Sequence, residues 1–166
     1  MIPSLLLWAG LQEPAVLELE PLPERVWAGQ ELSLRIRFGF EADFLERNLL
    51  QPFRRPLELP AVLRLGWKDA VPAPEPDGPT CSIDGRVERV RDLGEEEREG
   101  RRFRLFGLER RLVAGQAGPL ELPGPELRWY AARRFREDPI QGRQPVEREP
   151  GRIAGAAPDL ADARLA

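Results

Sequence analysis

The sequence predicts an all-β fold, an antiparallel β-sandwich of immunoglobulin-like architecture with a short helical turn near residues 41–50. Three observations carry that reading. Apolar and polar residues alternate with a period of two along several segments, the signature of half-buried strands. Eighteen prolines and fifteen glycines interrupt 166 residues, a density that short strands joined by turns survive and long helices do not. The third is the lack of any βαβ alternation.

The elements follow in order. Leu17 and Leu19 alternate with Glu18 and Glu20, and Pro21 to Pro23 with Ala28-Gly29 make a break. The clearest strand comes next, with Leu32, Leu34, Ile36 and Phe38 on one side and Glu31, Ser33, Arg35 and Arg37 on the other. In Glu41 to Phe53, residues Phe44, Leu45, Asn48 and Leu49 fall at helical spacing and predict one or two helical turns. A third run sets Leu57, Leu59, Ala61, Leu63, Leu65 and Trp67 on one face, with Pro60 in the opposite phase. A proline lacks a ladder donor, so this strand is expected at an edge or with a bulge.

Val71 to Pro79 is a Pro-rich, extended loop, and Arg86 to Arg91 reads as a short strand. The charge run Glu95 to Arg102 reads as a solvated hairpin turning at Gly100. From Phe103 the inward phase is Phe103 and Leu105, then Phe106, Leu108, Arg110 and Leu112, a shift beside Gly107 that predicts a β-bulge. Leu120 and Leu122 precede a Pro-Gly-Pro turn at Pro123 to Pro125, and Leu127 and Trp129 form the next inward pair. Arg152 to Ala154 offers a last strand. Six to eight short strands result, with Trp27, Trp67 and Trp129 as expected core pieces; a small open barrel fits the same periodicity. Residues 1–14 are a signal peptide or an N-terminal arm, 15–155 the sandwich, and 156–166 a loosely ordered tail. The apolar run Ile2 to Leu11 is too short to span a bilayer and resembles the core of a secretory signal, without the usual positive start. It points to export, to the periplasm or cell surface, with the membrane engaged only indirectly.

Composition argues against catalysis. The chain has no histidine, one cysteine and a net charge of −3, so the commonest general base and metal ligand are missing. Neither a G-x-S-x-G nor an S-x-x-K sequence surrounds any hydroxyl. No cofactor or metal is expected. A two-carboxylate hydrolase stays open in principle, since Asp and Glu are abundant. Nearly all positive charge is arginine, interspersed with carboxylates, which gives no support for nucleic-acid binding.

The candidate sites are few. Cys81 offers a redox thiol, against the plainer reading of a small buried residue without a resolving partner. Arg133, Arg134 and Arg136, downstream of Arg128, Trp129 and Tyr130, offer a basic aromatic patch for an acidic partner. The plainer reading is solvent-facing charge, partly paired with Glu137 and Asp138. Phe53, Arg54 and Arg55, held between Pro52 and Pro56, make a stiff loop able to present an aromatic anchor. Its plainer reading is a Phe that plugs the end of the sandwich.

Two stretches, VWAGQELSLRIRF (Val26 to Phe38) and AGPLELPGPELRW (Ala117 to Trp129), resemble entry and late hairpins of bacterial Ig-like domains. More particular are ERNLLQPFRRPLELP (Glu46 to Pro60) and FRLFGLERRLVAGQAGPLELP (Phe103 to Pro123), continued by RWYAARRFREDPIQGRQPVERE. Together these resemble the amino-terminal domain of the BatD, or oxygen-tolerance, family, from about Val16 to Ala154. The resemblance implies a non-catalytic envelope module acting with MoxR-type ATPases and von Willebrand A-domain membrane proteins. Family members usually continue into further domains and a transmembrane helix. The expectation is therefore a protein-interaction module; the alternative is a carbohydrate- or surface-binding sandwich with Trp67 or Trp129 lying flat and exposed.

Overall fold

The fold comes from a computed structural model, which describes residues 13–23, 25–113, 115, 122–158 and 163–164. The run Ile2 to Leu11, Leu120 and most of the 156–166 tail lie outside the described residues. In chain order the strands are β1 (Ala15–Leu19), β2 (Val26–Trp27) and β3 (Glu31–Glu41), then the helix α1 (Ala42–Arg47). There follow β4 (Leu49–Leu50), β5 (Val62–Arg64), β6 (Val71–Pro72), β7 (Thr80–Ile83), β8 (Arg86–Arg89) and β9 (Arg91–Arg98). The long β10 (Arg101–Val113) precedes β11 (Glu126–Ala131), β12 (Phe135–Asp138), β13 (Gly142–Pro145), β14 (Glu149–Ala154) and β15 (Ala163–Arg164).

Two separate sheets face each other, as a sandwich requires. The first runs β1-β3-β10, with β6 and β9 both beside β10; the second runs β14-β11-β5-β7-β8, with β4 beside β11. All pairings within them are antiparallel except β5 with β7. That parallel contact needs a crossover, and the chain supplies one by leaving the second sheet after β5, pairing β6 with β10, and returning as β7. A two-stranded hairpin, β12-β13, stands apart from both sheets, and β15 pairs in parallel with β2.

Alternation places the core as the sequence predicts. Leu34, Ile36, Phe38 and Phe40 of β3 lie opposite Leu63, Ile83, Leu127 and Trp129 of the second sheet, in one apolar cluster. Phe40 meets the Trp129 indole edge-on at 5.5 Å, and Phe38 lies 5.9 Å from Phe106, arrangements aromatic quadrupoles favour. The helix forms where the helical spacing falls; its Phe44 stacks on Phe40, and the Asn48 N–H closes it on the Phe44 carbonyl.

Several elements differ from the sequence reading. Leu57, Leu59, Ala61, Leu63, Leu65 and Trp67 are buried as predicted, but only Val62–Arg64 joins a ladder. Pro60 precedes it, so its missing donor disturbs no pairing, and β5 lies between β11 and β7 rather than at an edge. Trp27 is not core: Val26 takes the inward position and Trp27 is 43% exposed. The phase shift in β10 is real, since Phe103, Leu105, Phe106 and Leu108 are all buried. Yet β10 pairs with β3 in unbroken register. The irregularity lies against β9, between Leu105 and Phe106, where Leu93 is the extra residue.

Gly39 is the tightest point of the first sheet. A Cβ there would sit 2.0 Å from the Arg104 carbonyl oxygen, so backbone would have to move. Gly39→Ala should therefore lower stability by about 3 kcal/mol, read as a reduced urea midpoint; an unchanged midpoint would mean that β3 and β10 are not this close.

Candidate functional site

The outer face of the second sheet carries a groove of about 1000 Å³. Its floor is the outward row of β11 and its neighbours, Arg128 and Tyr130 with Val62, Arg64 and Arg152. One wall is the loop holding Phe53. That loop is fixed by Gln51, whose side chain donates to the Leu57 carbonyl and accepts from the Leu57 N–H, each at 2.8 Å. This mimics one rung of a β-ladder and closes the Pro52–Pro56 turn. The Arg148 guanidinium donates to the Gln51 carbonyl at 2.9 Å and lies 5.4 Å from the centre of the Tyr130 ring, tying loop to sheet.

The groove contains exposed aromatic surface. Phe53 is 51% exposed and Tyr130 41%. Phe53 thus does not plug the end of the sandwich, which corrects the plainer reading of that residue. Arg54 and Arg55 are exposed beside it and take part in no ion pair among the described residues. Arg64 on the floor is likewise without one, whereas Arg128 and Arg152 share the Glu126 carboxylate, Arg152 at 3.1 Å. Asp84 is occupied structurally: its carboxylate accepts from the Leu65 and Gly66 N–H groups.

The Arg133–Arg136 patch does not assemble. β11 ends at Ala131 and a new hairpin begins at Phe135, so Arg133, Arg134 and Arg136 do not continue the strand that carries Arg128 and Tyr130. Arg133 pairs with Glu149 at 3.2 Å and Arg134 with Glu147 at 2.8 Å. These are not the Glu137 and Asp138 that adjacency suggested. Arg136 remains exposed on the hairpin.

Trp67 and Trp129 are only 5% and 4% exposed. Trp67 donates its indole N–H to the Pro123 carbonyl at 2.8 Å, and Trp129 lies over Gly151, where a Cβ would come within 2.0 Å of the ring. Neither offers a flat sugar platform, which overturns the basis of the carbohydrate alternative. Tyr130, adjacent in sequence and opposite in phase, is the aromatic that faces out; the alternation itself marks it.

Among the described residues, the three carboxylates whose pKa is shifted are all pushed downward. A hydrogen bond from Arg98 holds Glu18 below the ordinary carboxylate value, one from Arg104 does the same for Asp92, and the backbone N–H groups of Gln141 and Ile140 lower Asp138. A general acid needs the opposite shift. Cys81 is wholly buried, and burial, with the field of Glu88, pushes its thiol up to about 12, far from a reactive thiolate. Among the described residues no group of three or more metal-binding side chains occurs, and no helix is long and apolar enough to cross a membrane. In comparisons with known proteins, the chain matches no family model, no curated protein and no solved structure.

The buried thiol makes stability depend on pH in one direction. The folded form keeps its proton while the unfolded thiol, with an ordinary value of 9.0, releases it. The thiol's contribution is full below pH 9.0 and is lost as pH rises toward about 12, at up to ~1.4 kcal/mol per pH unit. Urea titrations across that range should show the loss, and Cys81→Ala should flatten the slope; equal slopes would refute the assignment.

Proposed function

We propose that this chain is a non-catalytic protein-interaction module of the bacterial cell envelope, an Ig-like sandwich of the BatD type, which receives its partner in the Phe53–Tyr130 groove. The observation that carries this reading is a pair of exposed aromatic rings, flanked by arginines, within one concave surface whose loop is held by Gln51 and Arg148. Protein interfaces favour that composition, since aromatic and arginine side chains anchor contacts at small entropic cost. The first sheet's outer face supports the choice by contrast. There Arg37 pairs with Glu96, Arg98 with Glu18 and Arg35 with Glu20 and Glu109, so opposite charges largely match one another.

Export follows in this reading from the secretory character of Ile2 to Leu11. The partners are the MoxR-type ATPase and von Willebrand A-domain proteins that the resemblance implies. Binding of the purified chain to each, measured by calorimetry, is the test. One of them should bind, and the double variant Phe53→Ala/Tyr130→Ala should weaken it at least ~100-fold, as two interface anchors would. Binding by neither protein would refute the partner assignment, and full affinity in the double variant would refute the groove.

A further inference from the structure

A second concavity, of about 600 Å³, opens at the edge of the sandwich and shares no lining residue with the Phe53–Tyr130 groove. It is bounded by β10 over Gly107–Arg110, the Leu93 bulge of β9, strand β8 and the Pro-rich segment after β6. Its size suits a small ligand.

The inner wall holds an arginine where alternation calls for an apolar side chain. Arg110 follows Leu108 and precedes Leu112 on the core-facing row of β10, pairs across the ladder with Leu34, and is 7% exposed. A charge in that position is costly unless its partners are close. The contact among described residues is a single one, from Nη2 to a Glu88 carboxylate oxygen at 2.6 Å. A guanidinium carries five N–H donors in a planar fork. Among the described residues no fully buried side-chain nitrogen is left without a partner, and Arg110, with a single hydrogen bond to Glu88, is one of the residues that line the cavity.

The surroundings define what would bind there. The lining contains six arginines and four glutamates, a positive excess within a chain of net charge −3. All four glutamates have arginine partners: Glu20 with Arg35, Glu75 with Arg89, Glu109 with Arg35 and Arg111, and Glu88 with Arg110. Arg86 and Arg91 pair with no described carboxylate. The remaining walls are apolar, with Val87 59% and Leu93 42% exposed alongside Pro72, Pro74 and Pro76. Gly107 admits Leu93 to the cavity wall, since a Cβ there would lie 3.2 Å from the Leu93 Cδ1.

We infer that this cavity is a binding site for an amphiphilic anion, a molecule with an apolar body and a carboxylate or phosphate-ester head. The head takes the open donors of Arg110, where two acceptor oxygens match the guanidinium fork. The body lies against Val87, Leu93 and the prolines. Glu88 is the resident competitor for Arg110. A site of this kind differs from a plain ionic staple between sheets, because the staple gains nothing from an open cavity or unused donors.

The test is an NMR titration of the whole chain with octanoate, octyl phosphate, 1-octanol and inorganic phosphate. Either amphiphilic anion should perturb the Leu93 and Leu108 amides and the Arg110 Nε–H, and the tighter of the two assigns the head group. Octanol and inorganic phosphate should each bind at least ~10-fold more weakly, lacking head or body. Glu88→Gln should tighten binding about 3-fold or more by freeing Arg110, and Arg110→Met should weaken it at least ~10-fold. Should Arg110→Met fail to fold, Val87→Asp on the exposed wall serves instead and should weaken octanoate similarly. Absence of any perturbation at millimolar octanoate, octanol binding as tightly as octanoate, or unchanged affinity in Glu88→Gln would each overturn the proposal.

Discussion

The ladder between β3 and β10 is the constraint on which the remaining structure depends. Eleven residue pairs join the two longest strands, from Phe103 with Glu41 to Val113 with Glu31. β1 attaches to the free side of β3, and β6 and β9 to the free side of β10. The ladder's inner face supplies seven of the nineteen buried residues of the apolar cluster, and through Phe40 it supports Trp129 from below. Trp129 in turn lies over Gly151 of β14, which fixes β11 against β14 and holds Tyr130 outward. Both concavities therefore inherit their geometry from one pairing. Arg110 belongs to it directly, and the Phe53–Tyr130 groove is supported through the aromatic contact.

The two outer faces have different characters although both are rich in arginine. On the first sheet, cross-strand rows put opposite charges side by side, and exposed pairs of that kind contribute little stability each while keeping the surface hydrated and neutral. On the second sheet the equivalent rows hold Val62, Tyr130 and Pro150 among the charges. The difference is one of neighbours rather than composition.

Much of this was readable from the chain. Period-two alternation located β1, β3, β10 and β11, and the helical spacing at Phe44 and Leu45 located α1. Arg110 stood in an apolar phase, a visible anomaly whose meaning needed Glu88, which is 22 residues away in sequence and on the other sheet. Asp84-Gly85, both with positive φ, turn β7 into β8, and that dipeptide is a recognised hairpin signal. Trp27 misled because a two-residue strand is too short for alternation to set its phase. The arginine cluster at 133–136 misled because adjacency in sequence is not adjacency on a face once the strand stops at Ala131. The Phe53 loop was legible as stiff from its prolines, but its exposure depends on Gln51 and Arg148, contacts that no local pattern encodes.

The spacing of β3 and β10 along the chain has a consequence for how the molecule comes into being. During synthesis β3 emerges about seventy residues ahead of the strand that completes it, and closing so long a loop is slow compared with local structure. A nascent chain that ends before Arg101 has Leu34, Ile36, Phe38 and Phe40 in hand but lacks the surface that covers their edge. Cooperative folding must then await the second half of the polypeptide, and until Arg101 to Val113 has been made the inner row of β3 has no strand to cover that edge.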